Sequence, residues 1–242
     1  MSDESTSQRV ARLAEALRDT HVSTAWNAAR ELAKLGPAAA AAIPDLTKSL
    51  HGKDQTTALW ARFAIAKITG DTASHIPALV EALAEKRRIW AGMAATALSG
   101  FGRDALPAVD ALIAALRSER TDDRWAAAWA LGSIGPEASA ATPGLVNGLD
   151  DADEKVRWYA AWAIGQIGHS TPEAIRALLN ALDDTDDDVR GYAAVALSKL
   201  GTASIEVREK IRALLEDDNP GLQQAAGEAL ARLEDLQDLE GV

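Results

Sequence analysis

The chain contains no cysteine. That absence excludes disulfide staples, thiolate zinc sites and cysteine nucleophiles, and it fits a reducing compartment. Positive charge is also scarce. Against 36 Asp and Glu stand 25 Lys and Arg, giving a formal charge of −11 and a pI near 4.8. Phosphate contacts need clustered Lys and Arg, so broad binding to nucleic acid is disfavoured. No stretch approaches the ~18 uninterrupted apolar residues of a membrane span. The polar, acidic N-terminus MSDESTSQRVARL lacks the apolar core of a secretion signal. These absences together point to a soluble, cytoplasmic protein without membrane contact.

Chemistry-bearing motifs are missing as well. His21, His51, His75 and His169 fall near turns of different segments, without metal-ligand spacing. No nucleophile elbow, P-loop or dinucleotide fingerprint occurs. Asp183, Asp184, Asp186, Asp187 and Asp188 invite a calcium reading, but the glycine and distal glutamate of an EF-hand loop are not in place. Helix capping and a solvated acidic edge explain them better. No metal, cofactor or catalytic residue is expected.

What is present is a repeat. Leu17, Leu50, Leu83, Leu116, Leu149, Leu182 and Leu215 are each 33 residues apart. Four positions earlier run Leu13, Leu46, Leu79, Leu112, Leu145, Leu178 and Ile211. A third column, Gly36, Thr69, Gly102, Gly135, Gly168, Gly201 and Glu234, closes each unit. Each unit holds two helical patterns. Leu112 and Leu116, with Val109 a turn earlier, mark a first helix. Val156, Ala160, Ala163, Ile164 and Ile167 fall on one side of a second helix that ends at Gly168. Acidic runs such as DDADEKV precede second helices, where they cap free N–H groups and favour the positive end of the dipole. Pro44, Pro77 and Pro143 either start a first helix or bend it.

A lone pair of such helices cannot bury its apolar stripes, so the units must stack. The expected fold is an all-α solenoid of about seven two-helix repeats in a single domain, 1–242. The repeats are placed near 7–36, 37–69, 70–102, 103–135, 136–168, 169–201 and 202–234, with flexible ends at 1–6 and 235–242.

The second helices read VRWYAAWAIGQIG (156–168), DRWAAAWALGSIG (123–135) and VRGYAAVALSKLG (189–201). This pattern resembles the HEAT-like repeat of phycobilisome lyases, over about residues 7–234. Ala25, Ala58, Ala91 and Gln223 depart from its Arg in repeats 1, 2, 3 and 7. The resemblance implies a right-handed superhelix whose second helices line a concave surface. It implies binding more firmly than chemistry, because the family holds scaffolds and regulators beside bilin lyases.

Aromatic residues make up only 5% of the chain, yet 7 of them are Trp against 2 Phe and 2 Tyr. Counted back from the closing residue, the core positions of a second helix lie 12, 8, 5, 4 and 1 before it. Positions 10, 6 and 3 before it fall on roughly the opposite side. Position 10 carries Trp26, Leu59, Gly92, Trp125, Trp158 and Gly191; position 6 carries Phe63, Thr96, Trp129 and Trp162. Position 3 is small, as in Gly132 and Gly165. Trp125, Trp129, Trp158 and Trp162 are therefore expected as a two-by-two block of indoles facing away from the packing stripe. Trp26, Leu59 and Phe63 extend it, and Gly92, Thr96 and Gly191 leave dips. The competing reading is that curvature presses second helices together and buries part of the block. Trp60 and Trp90 fall nearer the stripe and are read as core. Arg124, Arg157 and Arg190 repeat beside the stripe, either tying neighbouring repeats through Asp or gripping a ligand at the rim.

The leading functional reading is a non-catalytic scaffold that holds a protein or peptide on a Trp-lined concave surface. Its alternative is a bilin (tetrapyrrole) lyase or chromophore chaperone, a flat apolar small molecule suiting indoles beside a glycine dip. A HEAT-like DNA glycosylase is a third reading, which the acidic charge speaks against.

Overall fold

The computed structural model describes residues 5–52, 54–84 and 90–240, with side chains described except at Ala84, Trp90 and 236–240. Among the described residues the regular elements are helical. In chain order they are α1 (Thr6–Ala16), α2 (Val22–Leu35), α3 (Ile43–Leu50), α4 (Gln55–Thr69), α5 (Ile76–Ala84), α6 (Trp90–Ser99), α7 (Val109–Ala115), α8 (Thr121–Ile134), α9 (Thr142–Gly148), α10 (Glu154–Ile167), α11 (Pro172–Ala181), α12 (Asp187–Lys199), α13 (Ile205–Ala213) and α14 (Pro220–Glu240). Odd-numbered helices are the first helices of the repeats and even-numbered ones the second. α14 continues past the repeat end at 234, through residues read from the sequence as a flexible end.

Local chemistry sets the boundaries. Asp54, Asp153 and Asp186 cap α4, α10 and α12 by accepting from backbone N–H groups in the first turn, each cap worth about 1 kcal/mol. Pro44, Pro77 and Pro143 are the second residues of α3, α5 and α9, so they start first helices rather than bend them. Several second helices end at glycines with positive φ, among them Gly70 at 78° and Gly168 at 69°. That conformation costs any residue with a Cβ.

A feature absent from the helical periodicity precedes α3, α7 and α9. Residues Gly36–Ala42, Gly102–Ala108 and Pro136–Ala141 form 3₁₀ segments. Side chains three apart eclipse on such a helix, and the pairs Ala39/Ala42, Ala105/Ala108 and Ala138/Ala141 are all fully buried. An alanine edge lets this extra turn lie flat on its neighbours.

The chain divides into two compact units, Met1–Ala111 and Leu112–Val242. Within the first, α2 packs on α4 and α4 on α6; within the second, α8, α10, α12 and α14 pack in succession. Second helices thus form a layer in each unit. First helices lie behind them, as α3 does on α4 and α11 on α12. In each unit the core lies between its layers, and residues of the leucine column fill it. Leu46, Leu79, Leu112, Leu145, Leu178 and Ile211 are completely buried, each worth roughly 1.5–3 kcal/mol relative to exposure. Leu215, in the last repeat, is left exposed. The fold is an all-α solenoid.

Candidate functional site: an aromatic ladder on the second helices

The sequence places Trp125 and Trp129 one turn apart on α8, and their rings stack at 6.4 Å. Trp125 also stacks on Tyr159 of α10 at 5.4 Å. Tyr159 stacks on Trp158 at 3.6 Å, and Trp158 on Tyr192 of α12 at 5.1 Å. Five rings from three successive second helices thus form one ladder, all of them half-buried. On the ladder's second rung the Lys155 ammonium lies 3.6 Å from the Trp125 ring centroid, a cation–π contact. The Trp125 indole N–H donates to Asp122 at 3.1 Å. Burial, with Tyr192 adding to it, pushes the Tyr159 phenol upward, so it stays protonated.

The ladder differs from a two-by-two indole block in two ways. The tyrosines interleave the tryptophans, and Trp162 leaves the stack to fill a different space. A Cβ built on Gly132 would meet the Trp162 ring at 2.4 Å and the Ala163 Cα at 2.9 Å. Trp162 therefore lies across the α8–α10 contact, touching Tyr159 only edge-on at 6.5 Å. Gly165 does the same for α10 and α12, with the Ala196 Cα 3.0 Å from a built Cβ. The small residues three before the closing position are buried in the first six repeats, Gly132 and Gly165 included, while Ala231 of the last repeat is exposed. Within each unit, second helices of successive repeats pack directly on one another, and only small side chains permit that approach.

In the N-terminal unit the corresponding residues form a packed cluster. Trp26 stacks on Trp60 at 6.2 Å, Trp60 meets Phe63 edge-on at 5.6 Å, and Phe63 lies 5.0 Å from Phe101. Trp60 is buried, as its nearness to the stripe implied, and so is Leu59. Trp90 lies outside the described side chains. Arg30 covers Trp26 at 5.3 Å. Gly92 and Thr96 are half-buried, and the Thr96 hydroxyl donates to the Gly92 carbonyl. Tyr159 and Tyr192 were not singled out by sequence reasoning. The signal was available: both stand nine residues before their closing glycine, as Trp60 does before Thr69.

The three arginines bind neighbouring repeats. Arg124 makes two bonds to Asp151 at 2.7 and 2.8 Å, and Arg157 makes two to Asp184 at 2.8 and 2.9 Å. Arg190 donates to Asp217 at 2.9 Å and to Asp187 at 2.6 Å. Each arginine also donates to a carbonyl six residues back: Ser118, Asp151 and Asp184 in turn. The acceptors Asp151, Asp184 and Asp217 each lie 27 residues beyond their arginine. Burial alone would raise Asp151 and Asp184. Hydrogen bonds from Arg124 and Arg157, aided by backbone N–H groups and guanidinium charge, more than offset it and hold both carboxyls below their ordinary range. The guanidiniums of Arg124 and Arg157 rise in return, led by the same hydrogen bonds. These groups are engaged along the repeat axis and serve the scaffold. No cluster of three or more metal-binding side chains occurs among the described residues, and no described helix is long and apolar enough to cross a membrane.

Stacked helix pairs with a continuous second-helix layer in each unit define an α-solenoid repeat protein. Residues 142–231 match the model for HEAT repeats, and residues 123–151 match that for the PBS lyase HEAT-like repeat. These two matches, which together span residues 123–231, support a HEAT-repeat protein of the PBS lyase HEAT-like type. No curated protein matches the sequence. Among solved structures, an engineered protein is 25% identical with a TM-score of 0.61, covering 93% of this chain and 68% of its own. The Escherichia coli protein YibA is 18% identical with a TM-score of 0.66, covering 95% of each chain. A designed armadillo repeat protein in complex with the peptide (KR)4 is 20% identical with a TM-score of 0.55, covering 93% of this chain and 99% of its own.

Proposed function

We propose that the chain is a non-catalytic scaffold that holds a segment of a protein or peptide across the second helices α8, α10 and α12. The observation that carries this reading is the ladder Trp129–Trp125–Tyr159–Trp158–Tyr192, whose five large rings remain half-exposed. A core would bury them fully, and Trp and Tyr are the side chains most enriched at binding hot spots. Solenoids present such residues at a fixed repeat spacing, which suits an extended partner. The designed armadillo protein bound to a peptide has this general architecture, and peptide binding of that manner is our reading for this chain.

The test is a selection of binders from a random peptide library, repeated on Trp125→Ala/Trp158→Ala. Trp162 stays in place because it fills the Gly132 gap. Peptides that bind wild type and lose binding on the double variant, with helical circular dichroism retained, are the expected result. Failure to select any peptide that depends on these rings would refute the proposal.

A further inference from the structure

The ladder ends at Tyr192, and beyond it lies a cavity of about 290 Å³. Its wall includes Asp187, Asp188, Gly191, Tyr192, Asn219 and Leu222. Gly191 is buried and presents no side chain, so the space opens between α12 and the start of α14. Trp158 covers one face of the Tyr192 ring.

The polar groups of the wall are not equivalent. Asp187 is committed: it accepts from Arg190 at 2.6 Å and from Asn219 at 2.5 Å. The Asn219 hydrogen bond, then the Arg190 charge, hold it below the usual carboxylate range. Asp188 is exposed and has no partner among the described residues. No cationic side chain lines the cavity among the described residues. The site therefore combines an uncommitted carboxylate, an aromatic ring and an apolar floor.

We infer that this cavity receives a Lys or Arg side chain of the bound segment, so that the scaffold selects basic partners. The inference rests on the binding reading above and deepens it. Three observations converge on a cation. The free Asp188 carboxylate supplies the charge partner, and the net charge of −11 draws basic segments toward the surface. Tyr192 supplies a ring for the head group, while Leu222 and the open space at Gly191 accommodate the aliphatic stem. Elsewhere on the same ladder the chain already seats a cation on a ring, with Lys155 over Trp125 at 3.6 Å. A segment lying along the ladder would then place a basic side chain at its Tyr192 end.

The test is isothermal titration of the full chain with a capped alternating Lys-Arg peptide. Its uncharged counterpart carries Nε-acetyl-lysine and citrulline at the same positions. Asp188→Lys should weaken the basic peptide on the order of tenfold, since it replaces attraction by repulsion at one partly exposed contact. Gly191→Ala should weaken it by a smaller factor. A Cβ there would lie 3.6 Å from Ala225 Cβ and from Leu222 Cδ1, ordinary contact that the fold tolerates. Asp150→Lys, at an exposed turn away from the cavity, is the control for general charge. Comparable affinity for both peptides, no binding of the basic one, or an equal loss with Asp150→Lys would each overturn the inference. If the library yields Trp-dependent peptides without Lys or Arg, the scaffold reading stands and the cavity assignment falls. If it yields no Trp-dependent peptide, both fall.

Discussion

Between α2 and α4 the contact is carbon on carbon: Trp26 lies on Trp60, and Phe63 continues the contact to Phe101. In the C-terminal unit the second-helix layer from α8 to α14 is laced by arginine–aspartate bridges, and its rings form an open ladder. Where the arginine is replaced in repeats 1 to 3, by Ala25, Ala58 and Ala91, the residue 27 positions on is Gly52, Glu85 or Ser118 instead of Asp. The donor is thus lost in all three repeats and the carboxylate acceptor in two of them, and in the N-terminal unit buried aromatic area holds the second helices. In the C-terminal unit directional ion pairs fix neighbouring repeats at one register, which leaves its rings free to remain at the surface. The lesson is that one repeat motif can be held by burial or by bridges, and the choice decides where aromatic side chains stay accessible.

The largest expected effect separates the two uses of tryptophan. Trp60→Ala should cost about 3–5 kcal/mol of stability, as for a buried aromatic. Trp158→Ala, half-buried, should cost far less while abolishing peptide binding. Urea denaturation beside peptide titration measures both, and equal stability losses would erase the distinction. Next comes the bridge. Arg157→Ala leaves Asp184, whose side chain is 12% exposed, without its partner and should cost about 2–4 kcal/mol. A double-mutant cycle with Asp184→Ala should return a coupling of about 1–2 kcal/mol; a value near zero would mean that the bridge does not hold the repeats together.

A smaller effect probes the close helix approach. Gly132→Ala should destabilise by about 1–2 kcal/mol, because Trp162 and the Ala163 backbone must move. Gly227→Ala, with nothing within 4 Å of the built Cβ, should stabilise by about 0.5–1 kcal/mol through helix propensity. Thermal melts of the two variants should move in opposite directions. The smallest effect is acid sensitivity. Asp151 and Asp184 are held below their ordinary value in the fold, so their stabilisation is complete above the unfolded pKa of about 3.9. It is lost as pH falls through the lower folded values. Between pH 5 and pH 3 the urea midpoint should therefore fall less in Arg157→Met/Asp184→Leu than in wild type.

Period 33, the buried leucine column, the helix caps and the role of Trp60 were all legible in the sequence, because each follows from local periodicity or from a residue's intrinsic chemistry. The 3₁₀ alanine turns were not, since three residues per turn leave too short a trace beside 3.6. The burial of Gly132 and Gly165 was not legible either, for a related reason. A single helix has one apolar stripe, whereas a second helix in a solenoid is flanked on both sides by its equivalents, and small residues there mark contact instead of surface.

By itself, then, the sequence determined the repeat, the caps at several helix starts and the all-α solenoid, because those depend on residues close together in the chain. Only the tertiary structure decided which tryptophans stack, that Tyr159 and Tyr192 join them, and that Trp162 fills the space above Gly132. It also decided that Arg124, Arg157 and Arg190 are engaged by Asp151, Asp184 and Asp217. Those outcomes rest on distances between neighbouring repeats, set by how closely two helices approach, and that distance is a property of the packed pair rather than of either helix.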